Sequence, residues 1–159
     1  MAIDIGNETQ AEIDLPEVVA LAEHVLERMH INPAAEVFIR FIDEPAMTEL
    51  HLRWMNLDGP TDVMSFPMDE LKPGKDEAGM LGDIVICPGV AAEQAKAAGH
   101  SLSDEILLLT AHGLLHLMGY DHHEPEEKEE MFGLQRHLLL TWFAEREPGR
   151  TTIPEPTED

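Results

Sequence analysis

Residues 101–122 read SLSDEILLLTAHGLLHLMGYDH, and this segment organises the rest of the 159-residue chain. Ser101 and Asp104 stand at capping-box spacing, which marks a helix start. Ile106, Leu107, Leu108, Leu109, Ala111, Leu114, Leu115, Leu117 and Met118 follow. A helix that is apolar on almost every side belongs in the centre of a domain, covered by other elements. Gly119 ends it, because glycine takes the positive φ needed to leave a helix at little steric cost.

Working outward, the flanking segments supply that cover. Upstream, Pro88 opens a helix that runs through Ala91–Ala98 and closes at Gly99. Before it, Leu81–Cys87 reads as a strand, and so do Asp62–Phe66, stopped by Pro67, and the β-branched and aromatic run Val37–Ile42. Residues 69–79 are a polar loop, and Leu57-Asp58-Gly59-Pro60 is a turn. Pro45 opens a helix reaching about Met55. Asp14, Pro16 and Glu17 open another, whose Val18, Leu21, Ala22, Val25, Leu26 and Met29 recur at helical spacing. Residues 2–6 alternate as a short edge strand. Downstream, Pro125 starts a last helix to about Ala144, with Glu126, Glu127, Glu129 and Glu130 near its positive end. The expected class is α+β: a small mixed β-sheet packed against about five helices, one of them buried and central. Residues 1–146 read as a single domain. Residues 147–159, rich in proline and acid, read as a disordered tail.

A chain of this length can bury a core without disulfides. It holds one cysteine, Cys87, inside the apolar run Ile84–Cys87, where a buried inert thiol is expected. No apolar run approaches the roughly 20 residues that span a bilayer, and the first residues lack the basic and apolar regions of a signal peptide. The expected location is the cytoplasm. Ten Lys and Arg against 32 Asp and Glu give a net charge of −22. Such a surface repels polyanions at long range and, taken alone, argues against nucleic-acid binding.

The chemistry lies in the histidines. His112 and His116 are four apart on the central helix, so both imidazoles leave one face. After the turn at Gly119, His122 comes back to the same point, and its neighbour His123 fits the spacing less well. One buried histidine is ordinarily a hydrogen-bonded core residue. Three converging in the most apolar helix of the chain would be costly without a common partner. Three neutral nitrogens with a free fourth position are the donor set of catalytic zinc, whereas structural zinc sites are closed by a fourth ligand. The spacing H-x-x-x-H-x-x-G-x-x-H also occurs in a clan of zinc proteases, which carry glutamate as general base directly after the first histidine. Here that position is Gly113, which counts against a peptidase.

His112–His122 resembles the signature of the YbeY family, bacterial rRNA-maturation factors described as single-strand-specific endoribonucleases. Pro60-Thr61-Asp62-Val63-Met64-Ser65-Phe66-Pro67 and Gly82-Asp83-Ile84-Val85-Ile86-Cys87 resemble two strand motifs of the same family, in the same order. The resemblance implies one zinc ion in a cleft on His112, His116 and His122. It also implies a role in 16S rRNA 3′-end processing and ribosome quality control, with ribosomal RNA and the ribosome or its assembly factors as partners, and neither DNA nor a membrane. One position departs. The arginine that many members carry before the turn falls here on Met55, beside Trp54, while Arg53 lies on a different helical face. Arg40 and Arg53 are the remaining candidate phosphate contacts, and Asp83 and Asp121 the candidate bases, each of which could equally orient a histidine or cap a turn. Two alternatives stand beside the ribonuclease: another zinc hydrolase, such as a peptidase or phosphoesterase, and a non-catalytic ribosome assembly factor with a structural metal.

Overall fold

The computed structural model describes residues 2–75 and 77–156. Along the chain run β1 (Ala2–Asn7), α1 (Leu15–Arg28), β2 (Glu36–Phe41), α2 (Glu44–Met55), β3 (Val63–Pro67), β4 (Met80–Ile86), α3 (Pro88–Ala98), α4 (Leu102–Leu117) and α5 (Pro125–Arg146). The four strands form one mixed sheet in the order β1-β2-β4-β3. β1 and β4 pair parallel with β2, and β3 pairs antiparallel with β4. This is the expected α+β class, with β1 and β3 at the edges.

Local chemistry sets the helix starts. The Asp14 carboxylate accepts from the Glu17 N–H at 3.1 Å, and the Asp43 carboxylate from the Ala46 N–H at 3.0 Å. The Ser101 hydroxyl accepts from the Asp104 N–H at 3.0 Å. Each satisfies a backbone donor that the helix itself leaves unpaired.

One face of the sheet presents Val37, Ile39, Phe41, Ile84 and Ile86, all fully buried, to α1, α4 and α5. α4 lies in the middle of this layer. Ile106, Leu107, Leu108, Leu109, Leu114, Leu115 and Leu117 are each at most 5 % exposed, and each contributes about 1.5–3 kcal/mol of burial. Gly113 is where the helix comes nearest the sheet. A Cβ there would sit 3.1 Å from Ile84 Cγ2 and 3.2 Å from Ser65 Oγ, tighter than ordinary packing. The opposite face carries a smaller cluster of Ile42, Met47, Met64, Val85 and Cys87, which seats α2 beside β3. Cys87 is buried, and burial pushes its thiol up.

Residues 147–156, read from composition as part of a disordered tail, pack against the domain. Arg150 donates to the carboxylates of Asp104 and Glu147, and its guanidinium lies 3.8 Å from the Phe143 ring centroid. Ile153 packs on the main core, and Glu155 pairs with Arg136 at 3.0 Å. A few anchors hold a segment whose average composition is that of a free chain. The last three positions of the expected tail, 157–159, lie outside the described residues. Among the described residues, no helix is long and apolar enough to cross a membrane.

Candidate metal centre

His112 and His116 project from the last two turns of α4 toward the sheet edge formed by β3. The chain leaves the helix at Gly119, whose φ of 101° is open to glycine and strained for other residues. The turn carries His122 back to the other two rings. Ring centroids are 4.7 Å apart for His112–His116, and 5.2 Å for His112–His122 and for His116–His122. One nitrogen from each lies within 4.8 Å of the others, and among the described residues this is the one group of three or more His, Cys, Asp or Glu that could hold a metal ion. Three imidazole nitrogens are a donor set that suits one zinc ion. His123 stands outside the cluster, 82 % exposed and 3.2 Å from Asp121.

The protonation of these rings suits a metal. Burial holds His116 well below the usual histidine range, down to about 4, with His112 and His122 adding to the effect. Burial also lowers His112. Both are therefore neutral donors at pH 7, the form that ligation requires. His112 Nδ1–H donates to Gln135 Oε1 at 2.9 Å, which leaves the Nε2 lone pair free. Gln135 is 2 % exposed, on the buried stripe of α5 formed with Met131, Leu138, Leu139 and Trp142. Phe132, from the same helix, packs 5.9 Å from His112 and 5.7 Å from His122. Sequence reasoning missed Gln135, although an amide at a core position of an amphipathic helix is the kind of residue that needs a buried partner.

The rings open into a cavity of about 640 Å³, walled by β3, α4, the start of α5 and the end of α2. Its far wall holds a polar cluster that the sequence did not point to. The buried Glu105 accepts from His100 Nε2 at 2.5 Å, and burial raises its carboxyl above the ordinary range against the pull of His100. The Gln94 amide, with its nitrogen turned inward, donates to Glu105 at 3.1 Å and to Asp62 at 3.0 Å. Of the expected bases, Asp121 lines the cavity, accepting from the His122 N–H at 2.7 Å. Asp83 does not line it. It alternates with Ile84 on β4 and so faces away from α4. Neither candidate cation lines the cavity. Arg40 lies on β2 beside Asp4 and Glu8, at 3.4 and 3.8 Å, and Arg53 is exposed on α2. Trp54 and Met55 do line it.

Position 113 faces Ile84 and Ser65, where even a Cβ is crowded. The site therefore has no room for the glutamate that the protease spacing demands.

Comparison with known proteins agrees with this geometry. The family model described as endoribonuclease YbeY matches residues 4–142. A protein named endoribonuclease YbeY from Beutenbergia cavernae is 57% identical over 150 residues, covering 92% of this chain and all of that one. One of the same name from Bifidobacterium longum is 55% identical and covers 100% of this chain and 90% of its own. The solution structure of TM1509 from Thermotoga maritima superposes with a TM-score of 0.62 at 25% identity, over 94% of this chain and 99% of that one. The chain belongs to the endoribonuclease YbeY family.

Proposed function

We propose that this protein is a metal-dependent endoribonuclease acting on single-stranded RNA, with one zinc ion held by His112, His116 and His122. The observation that carries the reading is the convergence of three imidazoles in an open cavity, with no fourth protein ligand grouped with them among the described residues. Zinc bound there would supply Lewis acidity toward a phosphate oxygen or lower the pKa of a bound water toward neutrality. The chain's own contribution is orientation. Gln135 fixes the His112 tautomer, the Gly119 turn places His122, and Leu108, Leu109 and Phe132 form a dry wall around the donors.

We take ribosomal RNA, the 16S 3′ end in particular, as the substrate, with the ribosome or an assembly factor as the setting and the cytoplasm as the compartment; membership of an endoribonuclease family supports the RNA substrate. The catalytic domain spans residues 1–146 in this reading, with 147–159 appended to it. Crowding at Gly113 disfavours the peptidase, and the open face of the metal site disfavours a purely structural ion.

Metal content and cleavage test the proposal together. Mass spectrometry of the purified protein should find about one zinc per chain, lost in His116→Ala, and the loaded wild type should cleave a single strand faster than the same sequence in a duplex. A His116→Ala variant that stays folded but neither holds metal nor cleaves is the expected result. A wild type without metal, or a variant as active as wild type, would refute it.

A further inference from the structure

Of the six exposed large apolar side chains among the described residues, all but Leu140 on α5 fall in one region. Leu52, Trp54, Met55, Leu57 and Met68, each between 51 and 62 % exposed, gather on the end of α2, the turn after it and the end of β3. A cluster of this kind marks a binding surface. It is continuous with the metal centre, since Trp54, Met55 and Phe66 line the same cavity as the three histidines. We propose that Trp54, braced by Phe66, is a stacking platform for a nucleobase of the single-stranded substrate beside the cleavage point, an inference that rests on the ribonuclease reading above.

The indole is the most exposed of these side chains, at 62 %, and it is held in place. Its ring meets Phe66 edge to face, with centroids 5.8 Å apart and planes at 71°. An edge contact orients an aromatic ring and leaves a face free for a second one. Every nucleobase has a π-face, so such a platform grips RNA without reading its sequence.

Continuity with the three-histidine cavity selects this occupant, and charge sets how it is held. No lysine or arginine is among the residues lining the cavity. Two lysines come close to lining residues: Lys72 Nζ lies 2.8 Å from where a Cβ on Gly119 would be, and Lys128 Nζ lies 5.6 Å from the Phe132 centroid. On a chain of net charge −22, phosphate neutralisation cannot supply most of the affinity, and stacking supplies what charge does not. The same device explains strand selectivity. A duplex keeps its bases stacked on each other, whereas a single strand offers them to Trp54.

The protein has two tryptophans, and Trp142 is buried at 5 % exposure, so a fluorescence change on binding reports Trp54. The metal-loaded protein is titrated with a single-stranded oligoribonucleotide of about 12 nucleotides, within the range of single-strand site sizes. Wild-type fluorescence should be quenched by the strand and not by its duplex. Trp54→Ala should bind about tenfold more weakly, the size of one lost stack, and raise KM by that factor with a much smaller change in kcat. Trp54→Phe should recover most of the loss. Wild-type binding and cleavage matched by Trp54→Ala would overturn the platform and leave the nuclease reading intact. So would a Trp54→Ala variant that loses only its association with ribosomal subunits, which would make the patch a protein-docking surface. A wild type that neither binds nor cleaves the strand would remove the platform and the nuclease reading together.

Discussion

Replacing Gln135 by leucine tests whether α5 governs the proposed metal site on α4. Leucine is close in size and keeps the buried stripe of α5 apolar, so the fold should survive. What it removes is the acceptor for His112 Nδ1–H, now met at 2.9 Å. Gln135 is 2 % exposed, so bulk water does not replace the lost oxygen. Two outcomes are open to the ring, and both cost affinity. It can keep its tautomer with an unsatisfied buried N–H, at about 1–3 kcal/mol. Or it can switch tautomer, which turns an N–H toward the metal position and removes the lone pair from Nε2. A cost of 1–3 kcal/mol is roughly a 5- to 150-fold weaker metal affinity, in line with the 10–100-fold typical of such outer partners. The assay is competition for zinc with a chromophoric chelator at neutral pH, with circular dichroism confirming the fold. Gln135→Glu, which supplies a charged acceptor, should bind at least as tightly as wild type. Wild-type affinity in Gln135→Leu would refute the argument and leave the packing of Phe132 as what orients His112.

Three further perturbations probe the turn, the protonation and the missing cation. Gly119→Ala forces an L-residue to φ 101°, at about 1–2 kcal/mol, and displaces His122; it should lower both Tm and zinc affinity, read by thermal melting and by the same competition. In the metal-free protein, His116 stays neutral to about pH 4 while the unfolded chain takes up that proton near 6.5, so the unfolded state binds more protons between those values. This group therefore makes metal-free stability fall as pH drops from about 6.5 toward 4. Urea midpoints across that range should fall more steeply for wild type than for His116→Gln, and equal slopes would contradict the burial argument. Met55→Arg puts a cation into a cavity lined by none. It should lower KM for single-stranded RNA and steepen its salt dependence by up to about one phosphate contact, measured as log KM against log salt; an unchanged KM would show that position 55 does not reach the backbone of the strand.

Whatever in this molecule is local was legible in its sequence. The α4 start, the Gly119 turn and the three histidines fall within 22 residues, and spacing alone brings the rings to one side. The strands were visible as β-branched runs, but their order β1-β2-β4-β3 depends on crossovers that no local pattern records. The unread parts of the site share that cause. Gln135 is 23 residues from His112, and Glu105 meets Asp62 only through Gln94. Asp83 looked like a site residue because its neighbours in sequence did, yet strand alternation turns it to the other face of the sheet. The contacts that Arg150, Ile153 and Glu155 make with the domain are likewise long-range, and average composition does not record them.

The acidity of the chain and its nucleic-acid substrate are reconciled inside the cavity. Among the described residues, three carboxylates line it: Asp62, Glu105 and Asp121. Asp62 accepts from the Val63 N–H at 2.8 Å and, like Glu105, from Gln94. Glu105 also accepts from His100, and Asp121 is held by the His122 N–H and lies 3.2 Å from His123. These contacts orient the three carboxylates toward protein donors, and none of them is grouped with the histidines as a fourth ligand. The rings that face the opening are imidazoles, and imidazole ligands would leave the charge of a bound divalent ion undiminished, which carboxylate ligands would not. A phosphate entering this cavity meets tied acids, an apolar aromatic wall and the unreduced field of whatever ion the histidines hold. The −22 of the whole chain acts mainly at long range, where salt screens it within about 8–10 Å. Global charge therefore sets how fast RNA arrives, and the local chemistry of the histidines and Trp54 sets whether it stays.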